Sequence, residues 1–101
     1  MDLSKRISEK REQILRIAEK YGARNVRVFG SVARGDCNDQ SDVDFLLQLD
    51  SSNLKGVRYF GVLEQLREEM EEVLGLRVDV VDEFGLEAPL PEHVLKEAVS
   101  L

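Results

Sequence analysis

The sequence predicts an α/β fold of the α+β type, a small mixed β-sheet with helices packed on one of its faces. Three observations predict it. Apolar residues recur at helical spacing in two long stretches, and three shorter runs alternate apolar and polar residues as strands do. These segments follow one another in the order α, β, short α, β, α, β, α. With 101 residues, of which 43% are hydrophobic, the chain is expected to form one domain, 1–101, around one modest core.

Three helices are predicted from apolar spacing and from their end signals. The first covers 3–21 and stops before Gly22, and the second covers roughly 55–74 and stops before Gly75. Glycine readily takes the left-handed conformation that ends many helices. The third covers 91–100, where a proline suits the first helical position.

Three strands are predicted at 25–30, 42–49 and 76–82. A short helical turn, 31–34, and a loop, 35–41, separate the first two strands. In the second and third strands one set of alternating positions is apolar, while the other set carries carboxylates. The apolar set predicts a core face beneath the helices, and the opposite face of the sheet is predicted to be open and acidic.

Three carboxylates share that predicted open face. Asp42 and Asp44 stand two residues apart in one strand, so their side chains project from the same side, about 6.6–6.8 Å apart along the chain. Asp79 has the same phase in the third strand and comes within reach if the two strands are neighbours. Two negative charges about 5 Å apart repel by about 3 kcal/mol at an effective dielectric of 20. Because a hard divalent cation relieves that repulsion, the set favours Mg²⁺ and substrate phosphates over zinc.

A glycine and a serine follow the first predicted strand. Gly30 would let the backbone approach a ligand closely, and Ser31 begins a helical turn whose free N–H groups favour phosphate. Arg34, three residues further on, can pair with a phosphate oxygen. Gly-Ser or Asp-x-Asp alone is a common pattern, but here both lie at strand ends that converge on one end of the sheet. The sequence therefore favours a combined metal and phosphate site over a coincidence.

Charge and composition limit the partners and the compartment. The formal net charge of −6 argues against long DNA or RNA as a partner, since nucleic-acid binding usually needs a basic surface. A metal-complexed nucleotide remains compatible, because divalent ions reverse the local charge. The single cysteine, Cys37, allows no internal disulfide and fits a cytoplasmic location. Neither a signal peptide nor a membrane-spanning stretch is expected.

The segment from Gly30 to Leu47, GSVARGDCNDQSDVDFLL, resembles a known family signature. Gly-Ser, ten residues and Asp-x-Asp is the pattern of the nucleotidyltransferase superfamily whose palm resembles that of DNA polymerase beta. Within it, the chain resembles the minimal nucleotidyltransferases of bacteria and archaea, from the first helix through the third strand. Residues 33–35 and Ser41 also match the usual spelling of the family.

The resemblance implies a palm-like fold and two Mg²⁺ ions, with ATP as substrate. Asp42 and Asp44 would hold both ions, and Asp79 would ligate the catalytic ion and help to activate the attacking hydroxyl. The phosphate-binding residues would be Gly30, Ser31, Arg34 and Ser41.

Proteins of this family are usually antitoxins paired with a helical HEPN ribonuclease toxin. The resemblance therefore implies transfer of AMP from ATP to a tyrosine of such a toxin, with loss of pyrophosphate and with a hetero-oligomer as the working assembly. Two alternatives stay open. The protein could neutralise a partner by contact alone, as a non-catalytic binding module, or it could transfer the nucleotide to a small molecule such as an aminoglycoside.

Several other polar residues are expected to be structural. His93 is expected to be exposed, and Asp82 has the wrong phase for the site and is expected to end its strand. Tyr21 and Tyr59 are expected to pack in the core or an interface. Arg27 is left open between the ligand and solvent.

Overall fold

The computed structural model describes residues 3–35, 42–50, 56–85 and 88–101. Within these ranges the chain forms a four-stranded mixed sheet, which confirms the predicted fold class. The strands are β1 (Ala23–Phe29), β2 (Val43–Leu49), β3 (Val78–Asp82) and β4 (Val99–Ser100). Their order in the sheet is β3-β2-β1-β4; β2 and β3 are parallel, and β1 runs antiparallel to both β2 and β4.

Helices cover one face of this sheet. α2 packs against β1 and α4 packs against β3, while α2 and α4 also contact each other. The helices are α1 (Leu3–Glu9), α2 (Arg11–Lys20), α3 (Ser31–Arg34), α4 (Val57–Leu74) and α5 (Glu92–Glu97). In the described part of the chain, none of these helices is both long and apolar enough to cross a membrane.

The core lies between the helices and the inner face of the sheet. Val43, Phe45 and Leu47 of β2 are fully buried there, together with Leu66 and Met70 of α4. Burying each large apolar side chain contributes about 1.5–3 kcal/mol relative to leaving it exposed. The central strand is thus fixed in register, since a slip of one residue would turn its carboxylates into the core.

The prediction of one helix over 3–21 is wrong, because a break at Lys10 divides it into α1 and α2. The backbone of Lys10 has φ −102° and ψ 8°, and its N–H donates to the carbonyl oxygens of Arg6 and Ile7, both at 3.2 Å. Ile7 and Ile14 both reach the core across the break. Apolar spacing is nearly the same for one helix and for two collinear ones, so periodicity does not locate the break.

The prediction of a last helix over 91–100 is also wrong at its C-terminal end. α5 stops at Glu97, Ala98 is extended, and residues 99–100 form β4 along β1. The N–H of Leu101 extends this pairing by donating to the Val26 carbonyl oxygen at 3.2 Å. The edge of β1 offers backbone partners that a continued helix would leave unused, and this tertiary context overrides helix propensity.

The outer face of the sheet is less open than predicted. Leu46 of β2 points away from the helices, yet it is fully buried and lies outside the core cluster. Arg27 is its register neighbour on β1 and forms an ion pair with Glu83, which directly follows β3; their side chains are 12% and 18% exposed. Gln48 Nε2 donates to the same Glu83 carboxylate at 3.3 Å. Arg27 therefore contacts a neighbouring carboxylate and is largely shielded from bulk solvent.

Candidate active site

Three strand ends meet at one end of the sheet and carry the predicted site. Because β1 is antiparallel to β2 and β3 is parallel to it, the end of β1 lies beside the starts of β2 and β3. Phe29 pairs in register with Asp44, and Asp44 pairs in register with Asp79. Asp44 and Asp79 therefore lie side by side on adjacent strands, with Asp79 exposed and Asp44 partly buried. This adjacency meets the condition that the sequence analysis set for Asp79 to reach the other carboxylates.

Asp42 lies one residue before β2 and is exposed. Its Oδ1 is 3.2 Å from Nε of Arg77, and these side chains are 52% and 80% exposed. The parallel register of β2 and β3 places the two residues opposite each other, each one position before its strand. Arg77 stands two residues before Asp79 and shares its phase in the chain.

Negatively charged side chains surround Asp44. Burial raises the pKa of its carboxyl above the ordinary 3.8, and the nearby charges of Asp79 and Asp42 raise it further. The guanidinium of Arg34 acts in the opposite direction, and Glu97 adds to the increase. The ionised form of Asp44 is therefore disfavoured by its surroundings, as expected for a site that a cation would complete.

Gly30 brings the backbone close to that carboxylate. It has φ 73° and ψ −147°, a conformation that residues with a side chain rarely adopt. A Cβ placed on Gly30 would lie 2.5 Å from Oδ2 of Asp44. Only glycine allows β1 to turn into α3 while the Asp44 carboxylate stays against it.

α3 is a single turn that holds the other predicted phosphate-binding residues. The N–H of Arg34 donates to the Gly30 carbonyl oxygen at 3.1 Å, and buried Val32 anchors the turn to the core. Ser31 is partly buried at the first position of the turn. Ser41 and Cys37 lie outside the described residues.

A fourth carboxylate, which the sequence analysis missed, reaches the same region. Oε1 of Glu97, the last residue of α5, is 2.7 Å from Nη1 of Arg34. The two residues are 63 positions apart, and no local pattern connects them. They meet because β4 pairs with β1 and so places the end of α5 beside α3.

The donor set fits a hard divalent cation, although the side chains are not gathered around one. Among the described residues, no group of three or more His, Cys, Asp or Glu side chains is close enough to hold an ion. Asp42 is turned to Arg77, so it would have to change partner. The candidate ligands Asp42, Asp44 and Asp79 supply only carboxylate oxygens, the donors that Mg²⁺ prefers. Their mutual repulsion at Asp44 is what a cation would relieve.

The remaining polar residues are largely where the sequence placed them. His93 is exposed, and Asp82 ends β3 on the core side. The Tyr59 hydroxyl donates to Asp82 Oδ2 at 2.6 Å, and burial together with this bond raises the pKa of Tyr59. Tyr21 packs against the core, and its hydroxyl donates to Glu69.

Comparisons with known proteins agree with this geometry. A family model described as a nucleotidyltransferase domain matches residues 10–101. The protein adenylyltransferase MntA of Thermococcus cleftensis is 38% identical over 85 residues, which are 82% of this chain and 79% of the relative. A Methanocaldococcus jannaschii protein, provisionally named a protein adenylyltransferase, is 31% identical over 93 residues, 92% of this chain and 88% of the relative.

A solved structure described as a minimal nucleotidyltransferase has the same fold. It superimposes with a TM-score of 0.81 at 40% sequence identity, and the match covers 100% of this chain and 97% of that one. The strand order, the carboxylates at the starts of β2 and β3, and these similarities lead to one conclusion: the chain belongs to the nucleotidyltransferase family and is an enzyme of the minimal nucleotidyltransferase type.

Proposed function

We propose that this nucleotidyltransferase transfers AMP from ATP to a tyrosine hydroxyl of a partner protein, and that the partner is a HEPN-type ribonuclease toxin which the transfer neutralises. The observation that carries the proposal is the juxtaposition of Asp44, Asp79 and Gly30 at one end of the sheet. The names of the relatives support a protein as the acceptor.

Asp42, Asp44 and Asp79 would hold the divalent cation, Mg²⁺ in two copies. When bound, the cations neutralise charge on the phosphates and on the attacking and leaving oxygens. The chain's own residues bind and orient the substrate. Gly30 lets the triphosphate approach the backbone, Ser31 donates a hydrogen bond to it, and Arg34 pairs with a phosphate oxygen.

The reaction balances without a further reactant. The tyrosine oxygen forms a bond to the α-phosphorus, the bond from that phosphorus to the bridging oxygen breaks, and pyrophosphate leaves. The hydroxyl proton goes to Asp79, which is exposed at the start of β3 and open to an incoming acceptor. Holding the tyrosine oxygen, the α-phosphorus and the leaving oxygen in line supplies much of the rate acceleration, as in other phosphoryl transfers.

One observation favours the alternative of a binding module. Asp42 is paired with Arg77, and the acids of the described ranges do not form a ready-made cation site. In that case nucleotide would be a structural ligand or absent, and contact alone would neutralise the partner.

The deciding experiment is the intact mass of a HEPN-type protein after incubation with this chain, ATP and Mg²⁺. We expect a gain of one or more AMP units, lost in the double variant Asp42→Asn/Asp44→Asn. Glu68→Gln/Glu72→Gln is the matched control, since it also removes two negative charges but from the exposed side of α4. A stable complex with no mass gain would replace the transferase proposal with the binding module. A mass gain on an aminoglycoside alone would replace the protein acceptor with a small molecule.

A further inference from the structure

The ion pair between Arg34 and Glu97 joins two distant parts of the chain at the nucleotide end of the sheet. Nη1 of Arg34 lies 2.7 Å from Oε1 of Glu97. The Arg34 side chain is 53% exposed, whereas the Glu97 side chain is only 20% exposed. The carboxylate is thus held against the protein, while the guanidinium remains accessible to an incoming ligand.

The register of β4 places Glu97 beside the phosphate-binding turn. Ser100 pairs with Arg27 and Val99 pairs with Val28 in antiparallel register. Continuing that register by two residues brings Glu97 level with Gly30. The pairing of β4 with β1 therefore fixes the position of Glu97 relative to α3.

The charges of Arg34 and Glu97 both act on the carboxylate of Asp44. The charge of Arg34 lowers the pKa of Asp44 and the charge of Glu97 raises it, so both lie within electrostatic range of that carboxylate. An arginine guanidinium pairs with a carboxylate or with a phosphate through the same N–H donors. A nucleotide phosphate arriving at Arg34 therefore meets an anion already bound there, and that anion repels it.

We propose that Glu97 is a displaceable internal ligand of Arg34: its carboxylate occupies the guanidinium in the nucleotide-free protein, and a phosphate of the substrate takes its place. This inference rests on the proposed function, because the phosphate in question belongs to the nucleotide of that reaction. Glu97 then lowers nucleotide affinity, and nucleotide binding detaches the end of α5 from α3.

The first test is binding of ATP with Mg²⁺, and separately of inorganic triphosphate, measured by titration calorimetry without an acceptor protein. For Glu97→Gln we expect a dissociation constant about 2- to 5-fold lower than that of the parent chain, the range expected for a partly exposed ion pair. Glu92→Gln is the matched control on the same helix, since Glu92 is exposed and pairs with Lys96. We expect the control to bind as the parent does.

A second variant separates competition for Arg34 from a general charge effect. In an Arg34→Gln background, Glu97→Gln should no longer tighten binding, because the group for which the two anions compete is gone. Persistence of the gain in that background would overturn the proposal. Unchanged binding by Glu97→Gln alone would also overturn it. So would weaker binding, which would make Glu97 a residue that positions Arg34 for the phosphate.

The outcomes separate this inference from the proposed function. Tighter binding by Glu97→Gln, lost in the Arg34→Gln background, supports the displaceable ligand even if no AMP transfer is ever detected, and in that case only the transferase proposal fails. If the parent chain binds neither ATP nor triphosphate, no phosphate displaces Glu97 and both proposals are overturned.

Discussion

The two ends of β3 each hold an aspartate, and they differ in almost every physical respect. Asp79 lies exposed at the start of the strand, beside Asp44 and near other carboxylates. Asp82 lies at its end, is 6% exposed, and accepts hydrogen bonds from three donors. Those donors are the Tyr59 hydroxyl at 2.6 Å, the N–H of Phe84 at 3.1 Å and the N–H of Leu49 at 3.3 Å.

The difference separates a functional use of carboxylates from a structural one. At the Asp82 end, buried oxygens are satisfied by protein donors, which stabilises the fold and leaves nothing for a ligand. At the Asp79 end, like charges face one another, and burial together with these charges makes Asp44 harder to ionise. Along β3, like charges face one another at the start of the strand, and Gly30 and α3 also lie at that end.

The largest expected effect is loss of transfer activity at the Asp44 end. For Asp44→Asn we expect AMP transfer to fall by about 100- to 1,000-fold or more, the loss typical when a group that stabilises developing charge is removed. The fold should be retained, since among the described residues Asp44 has no hydrogen bond comparable to those of Asp82. Initial rates of acceptor labelling, with circular dichroism as the check on folding, measure this. Near-parental activity would show that Asp44 is outside the machinery.

The sequence predicts those parts of this contrast that depend on a single strand. Alternation along β2 and β3 predicted that Asp42, Asp44 and Asp79 share a face and that Asp82 does not, because side-chain period is a property of each strand alone. The shared face was therefore predictable without any long-range contact. The pairing of β2 with β3, which brings Asp44 and Asp79 into register, joins distant segments, and the sequence left it as a condition.

The parts that could not be predicted depend on distant pairing. β4 has two residues, too few for a periodic signal, and it forms because the edge of β1 offers backbone partners. Glu97 reaches Arg34 only through that strand. The ion pair of Arg27 and Glu83 likewise joins β1 to the end of β3 across β2. No pattern within either strand predicts it.

The next largest effect is expected on stability at the Asp82 end. Asp82→Ala leaves a hydroxyl, the buried N–H of Leu49 and the partly buried N–H of Phe84 without their acceptor, at about 1–3 kcal/mol for each buried group left unsatisfied. Because water can replace part of this, we expect a loss of about 3 kcal/mol in the free energy of unfolding. Asp82→Asn is the control; it keeps an acceptor oxygen and should lose less. Urea denaturation measures both, and a loss below about 1 kcal/mol for the alanine variant would contradict the contrast drawn here.

Gly30 provides a test of the backbone at the Asp44 end of the sheet. Gly30→Ala would put a methyl group 2.5 Å from Asp44 Oδ2 at a φ of 73°, and we expect it to lower stability by about 1–2 kcal/mol and to impair transfer. Gly61→Ala in α4 is the matched control, since nothing lies within 4 Å of its added Cβ. That helical substitution should raise stability by up to about 1 kcal/mol. The two variants should therefore move the urea midpoint in opposite directions, and an unchanged or higher midpoint for Gly30→Ala would show that Gly30 is not constrained.

The smallest expected effect is a difference in pH dependence, and its sign distinguishes the two ends. The pKa of Asp44 is raised in the folded protein, so the protein loses stability as pH rises from the unfolded value near 3.8 through the higher folded value. The pKa of Glu83, beside Asp82, is lowered, chiefly by its hydrogen bond from Arg27. Its contribution is therefore present above the unfolded value of 4.5 and is lost as pH falls through the folded value.

Asp44→Asn should consequently be more stable than the parent chain at pH 7, and Glu83→Gln should be less stable. Each difference should be a few tenths of a kcal/mol to about 1 kcal/mol, because solvent screens both groups. At pH 3 the parent carboxyl of Asp44 is neutral, so its difference should vanish, while that of Glu83→Gln should shrink. Thermal unfolding with a chelator present measures these values. Adding Mg²⁺ at pH 7 should then stabilise the parent and Glu83→Gln but not Asp44→Asn, since only the first two keep the carboxylate whose repulsion a cation relieves; equal stabilisation of all three would place the cation elsewhere.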